Sequence, residues 1–216
     1  MALPESSDPP TALGSDASAG RQLMKILIAG GFGVGKTTLV GAVSEITPLK
    51  TEETLTEAGV GVDDLTGTEG KITTTVAMDF GRITLDEEIV MLFGTPGQDR
   101  FWFMWDDLLR GARGAIVLVD TQRLDSSFAA VDFFEQRALP YVVAVNCFHG
   151  RQNYTETQIA SALQIDPAQV PVVMCDARQR PSVRTVLLTL LDHLIDHAAN
   201  RPTPQEGMST DDTCGP

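Results

Sequence analysis

Residues 25–38 read KILIAGGFGVGKTT. An apolar run ends in Gly30, and the turn Gly30-Gly31-Phe32-Gly33-Val34-Gly35 leads into Lys36-Thr37-Thr38 at the head of a helical pattern. This is G-x-x-x-x-G-K-[ST] in the strand-to-helix setting that gives the pattern a mechanism. Glycines let consecutive backbone N–H groups turn toward one anion, and the first turn of the helix adds its positive end. Lys36 can reach outer phosphates, and the Thr37 hydroxyl can serve magnesium. The stretch therefore predicts a nucleotide-phosphate cradle. Phe32 stands where a small residue is more comfortable, and its ring could screen the cradle and slow hydrolysis.

Around the cradle, short apolar runs alternate with helical patterns. The runs at 23–29, 76–85, 89–93, 115–120, 141–146 and 170–175 predict six strands, with helices beginning near Lys36, Phe101, Asp125, Thr155 and Pro181. That alternation is the mark of a mostly parallel sheet covered on both faces. In the last helix, Val183, Val186, Leu187, Leu190, Leu191, Leu194 and Ile195 keep i, i+3, i+4 spacing and predict one buried stripe. His193 and His197 lie one turn apart there, but no third ligand follows at metal spacing, so a solvated face is expected. Residues 47–74 show no strong period and many acids, which predicts a moving connection.

The chain has 216 residues, 43% of them hydrophobic, so it can bury a full core. Residues 1–20 and 200–216 are rich in Pro, Ser, Asp and Gly and predict disordered ends around a domain at 21–199. The formal net charge of −13 comes without a basic cluster, which argues against a nucleic-acid or anionic-membrane surface. No apolar run approaches the roughly 18–20 residues of a membrane span, and the start lacks a signal-peptide pattern. Cys147, Cys175 and Cys214 lack metal-like spacing. Cys214 has too few residues after it for a prenylation signal. A cytoplasmic protein without a lipid anchor is expected.

Four further segments in order complete a pattern: TTTVAMDF (73–80), GTPGQ (94–98), NCFH (146–149) and CDAR (175–178). With the cradle, they make the chain resemble the Ras-like small GTPases. The likeness is greatest to the bacterial branch encoded beside roadblock-type proteins in actinobacterial conservon operons. The resemblance implies an α/β fold with a six-stranded, mostly parallel sheet and five helices, the site lying at the carboxyl ends of the strands. It implies GTP/GDP and Mg2+ as ligands. It also implies a roadblock-type dimer near a sensor kinase as partner, through which the chain could reach a membrane.

By that resemblance Thr75, with Thr74 as the alternative, closes on magnesium and the terminal phosphate. Gly97 offers its N–H to that phosphate, and Gln98 orients the attacking water. Gly94 stands where the family carries a magnesium-supporting acid, and Asp99 is an acid just past Gln98. Asn146 is retained from Asn-Lys-x-Asp, but Cys147 replaces the lysine, and His149 replaces the acid that reads guanine. One imidazole acceptor cannot reproduce a bidentate carboxylate. Ala177 would offer its N–H to the guanine oxygen, and Arg178 would cover the ring. The segment RFWFMWDDLL (100–109) predicts some aromatic rings in the core and others facing a partner. Three functions remain open: a slow GTP switch, a nucleotide-loaded scaffold, and an ATP-using or nonselective P-loop protein.

Overall fold

The computed structural model describes residues 22–57, 72–85, 88–148 and 152–200. The predicted leader and tail, His149 and the acidic stretch 58–71 lie outside the described residues. The elements run β1 (Gln22–Ala29), α1 (Lys36–Val43), β2 (Leu49–Glu57), β3 (Ile72–Leu85) and β4 (Glu88–Gly94). A 3-10 helix (Asp99–Met104) and α2 (Trp105–Leu109) follow. Then come β5 (Ala112–Val119), α3 (Asp125–Gln136), β6 (Tyr141–Asn146), α4 (Glu156–Ala162), β7 (Val172–Cys175) and α5 (Arg180–Ala199).

One sheet carries the order β2-β3-β4-β1-β5-β6-β7. β1 pairs in parallel with β4 and β5, and β5, β6 and β7 continue in parallel. β2 and β3 form the antiparallel margin. The chain leaves β1 to one side and returns to the other, which makes the carboxyl end of β1 the crevice where such sheets take ligands.

The α/β class, the six expected strands and the five helices are all present. β2 is an addition, because Leu49–Glu57 pairs residue for residue with Ile72–Phe80. Nine residues of the stretch expected to be a moving connection are thus a strand. Its sequence, LKTEETLTE, lacks apolar alternation, but its β-branched threonines suit an extended backbone.

Alternation along the central strands sends side chains to two cores. Ile26, Ile28, Ile116 and Leu118 meet α1 and α5. Leu27, Val117, Val143 and Val145 meet α2, α3 and α4. On α5, Val183, Val186, Leu187 and Leu190 are buried, whereas Ile195 is exposed beyond the end of the stripe. Gly81 brings α1 down onto β3: a Cβ there would lie 2.7 Å from Val40 Cγ1.

The aromatic segment divides between core and surface, with Phe101 and Trp105 buried and Phe103 exposed. Trp105 is 2% exposed. Its ring stacks on Trp102 at 4.2 Å and meets Phe133 edge-on at 5.1 Å. Both tryptophans therefore serve the α3 side of the core, and Phe103 is the ring that faces solvent. Trp105→Ala should cost about 3–5 kcal/mol of stability, read as a lower urea midpoint with secondary structure retained below it.

Candidate functional site

The cradle is built by backbone that only glycine suits. Gly30 has φ 135, and a Cβ there would run into the Leu118 carbonyl oxygen of β5. Gly35 has φ 109 and caps α1 in the left-handed region, with no side chain accepting from the first turn. The leading N–H groups of α1 are thus left to an anion.

Lys36 is 8% exposed. Its ammonium donates to the Gly30 carbonyl at 2.7 Å and the Gly31 carbonyl at 2.8 Å. Burial pushes its pKa down to about 8, and the negative charge of Asp79 opposes that fall. The second predicted switch lies directly against this lysine. A Cβ on Gly97 would fall 2.5 Å from Lys36 Nζ and 3.0 Å from the Gly31 carbonyl. Gln98, half-buried, leads into the 3-10 helix.

Two side chains outside the loop hold its shape. Buried Asn146 donates from Nδ2 to the Val34 carbonyl at 2.9 Å, and its Oδ1 accepts from the Ala177 N–H at 3.2 Å. It ties the cradle to the β7–α5 loop. Arg123 donates to the Phe32 carbonyl at 3.1 Å and pairs with Asp120 at 3.2 Å. The sequence reading missed Arg123, whose only linear signal is its place just past the end of β5. Phe32 itself is 68% exposed.

At the far side of α1's first turn, the Thr37 hydroxyl donates to Asp79 Oδ2 at 2.6 Å. Thr38 is exposed. Thr75 sits in β3 opposite Thr54. It lies four residues before Asp79, about 13 Å along the strand, so the fold as it stands does not bring it to Thr37. Among the described residues no group of three or more His, Cys, Asp or Glu could hold a metal ion. Magnesium suits such a place, since it takes one or two hard protein oxygens and completes its shell with phosphates and water. Thr37 and Asp79 supply oxygens of that kind.

The base end is less open than the resemblance implies. The Ala177 N–H is engaged by Asn146. The Arg178 side chain, whose stem is expected over the base, pairs its guanidinium with Asp176, Nη2 to Oδ2 at 2.8 Å. Cys147 is half-buried, with its thiol 3.6 Å from the Val145 carbonyl oxygen.

A glycine-lined cradle at the switch point of this sheet, with Gly97 folded onto its lysine, defines a nucleotide-binding P-loop protein of the G-domain fold. The chain belongs to the family described as conserved hypothetical ATP binding proteins, whose profile matches residues 28–197. It is 30% identical over 125 residues to the uncharacterized protein MJ1339 of Methanocaldococcus jannaschii, covering 57% of this chain and 69% of that one. Among solved structures it is similar to the G domain of the T. maritima FeoB iron transporter. There the TM-score is 0.50 at 19% identity, over 82% of this chain and 99% of that chain. The cytosolic domain of the same transporter in a GDP form gives 0.56 at 16% identity, over 85% of this chain and 66% of that chain. The FeoB G domain of Methanococcus jannaschii gives 0.53 at 12%, over 81% and 99%. At these identities the likeness is one of fold.

A phosphate beside Lys36 favours its charged form, so binding should take up protons where the free lysine is partly neutral. Proton uptake is expected at about pH 8.5 and is nearly absent near pH 6.5, with affinity falling as pH rises through about 8. Calorimetry in buffers of different ionisation heat measures this, and Lys36→Ala should abolish both binding and uptake.

Proposed function

We propose that the chain is a molecular switch that binds GTP or GDP with magnesium, hydrolyses the triphosphate slowly and reports the difference to a protein partner. The observation that carries this reading is the contact of Gly97 with Lys36 and Gly31. A terminal phosphate entering the cradle takes the ammonium away from the Gly30 and Gly31 carbonyls. Gly97 of the second switch lies against that exchange, since a Cβ built on it would fall 2.5 Å from Lys36 Nζ and 3.0 Å from the Gly31 carbonyl. Occupancy of the cradle and the path of residues 94–98 are therefore coupled, which is the physical requirement for a phosphate-sensing switch.

The roles follow from position. Backbone N–H groups of residues 30–37 surround the phosphates, with Lys36 at their outer end. Thr37, joined by Thr75 once the first switch closes, would hold magnesium, which would supply charge neutralisation on the phosphates. Gln98 orients the attacking water. Arg123 is committed to Asp120 and the Phe32 carbonyl, and the sequence has no arginine between residues 22 and 81. With no arginine finger from the first switch, turnover below about one per second follows. Exposed Phe103, beside the second switch, is the side chain offered to a partner. A roadblock-type dimer is the partner that the sequence resemblance suggests, with the G domain at 21–199 working in the cytoplasm and reaching a membrane only through such a partner.

A second reading, an ATP-using or nonselective P-loop protein, is favoured by the family's description as ATP binding and by the engagement of the Ala177 N–H with Asn146. Competition of GTP, GDP, ATP and ADP against one fluorescent nucleotide separates the two. The guanine reading expects GTP to win by at least about tenfold, or roughly 1.4 kcal/mol, and equal competition selects the second. Gln98→Ala should lower hydrolysis roughly a hundredfold with affinity kept. Unchanged hydrolysis would make the protein a nucleotide-loaded scaffold.

A further inference from the structure

We propose that Asp79 replaces, from the neighbouring strand, the acid that position 94 lacks, and that it supports magnesium together with Thr37. The proposal rests on the nucleotide-binding reading above. Asp79 and Gly94 are directly opposed partners of the β3–β4 pair, and opposed residues of an antiparallel pair send their side chains to one face. A Cβ built on Gly94 would lie 3.0 Å from Asp79 Cβ and 3.2 Å from Asp79 Oδ2. The two positions compete for one volume. An acid at both would add the repulsion of two carboxylates to the steric contact.

The face they share is the one on which α1 lies. The close approach at Gly81 seats the last turn of α1 on β3, and at the first turn Thr37 Oγ1 meets Asp79 Oδ2 at 2.6 Å. Since the hydroxyl donates its proton to the carboxylate, its lone pairs remain for a cation. Asp79 also lies close enough to Lys36 to favour its charged form. One carboxylate thus touches the cradle's hydroxyl and influences its ammonium, as the acid of the second switch would from position 94. Asp99, the acid nearest to Gln98 in sequence, lies on the other side of Gly97 in the chain.

The test uses the full chain and the release of mant-GDP and mant-ADP, with magnesium and with EDTA. In the parent protein magnesium should slow release of the bound nucleotide. Asp79→Asn can still accept from Thr37, so it should stay folded by circular dichroism while losing about 10–100-fold of the magnesium effect. The exchanged pair Asp79→Gly with Gly94→Asp should recover most of it. Gly94→Asp alone should melt lower than the exchanged pair, a non-additive outcome expected of two residues sharing one space.

Equal magnesium effects in Asp79→Asn and the parent overturn the assignment of Asp79 and leave the nucleotide reading standing. So does an exchanged pair no better than Asp79→Asn. If neither labelled nucleotide binds the parent, the nucleotide reading fails and the proposal falls with it.

Discussion

Lys36 carries an ammonium into a place where only 8% of its surface meets solvent, and the Gly30 and Gly31 carbonyls keep it there. A buried cation without such partners is strongly disfavoured, so the loop must curl until its carbonyls meet the nitrogen. That curl demands left-handed backbone, which glycine supplies. It also demands close approach by β5, by Asn146 and by Gly97. The arrangement of the ligand-facing end follows from one charge that has to be housed.

The same constraint explains why the antiparallel margin of the sheet matters to the site. β3 and β4 could serve only to widen the sheet, yet their register places Asp79 across from Gly94 and under the first turn of α1. Strand pairing and helix packing converge on one hydroxyl–carboxylate contact. A shift of one residue in register would turn Asp79 to the opposite face, so the β3–β4 alignment is part of the chemistry as well as the architecture.

The cradle was legible because its spacing encodes local backbone geometry, and local geometry is what linear sequence states best. The parallel sheet was legible for a similar reason, since its buried strands are continuous apolar runs. Asp79 was not, because the partner of Gly94 is set by cross-strand register over an intervening hairpin. β2 escaped notice because its polar sequence carries no apolar alternation. The split of Trp102, Phe103 and Trp105 was hidden by a 3-10 turn, whose period of three differs from the helical count. At the base end, Ala177 and Arg178 were placed by analogy. Their actual partners, Asn146 and Asp176, could be found only in three dimensions.

Arg123 and Asn146 have a consequence that concerns entropy. Each fastens the glycine-rich turn to a rigid element, one at the end of β5 and the other at the end of β6. A loop with Gly30, Gly31, Gly33 and Gly35 would otherwise sample many backbone states, and ordering it would draw down affinity by roughly 1–2 kcal/mol per residue. Because the fold has already frozen these torsions, a phosphate meets a preorganised receptor. Tolerance of glycine at four positions and recognition of an anion are thereby made compatible.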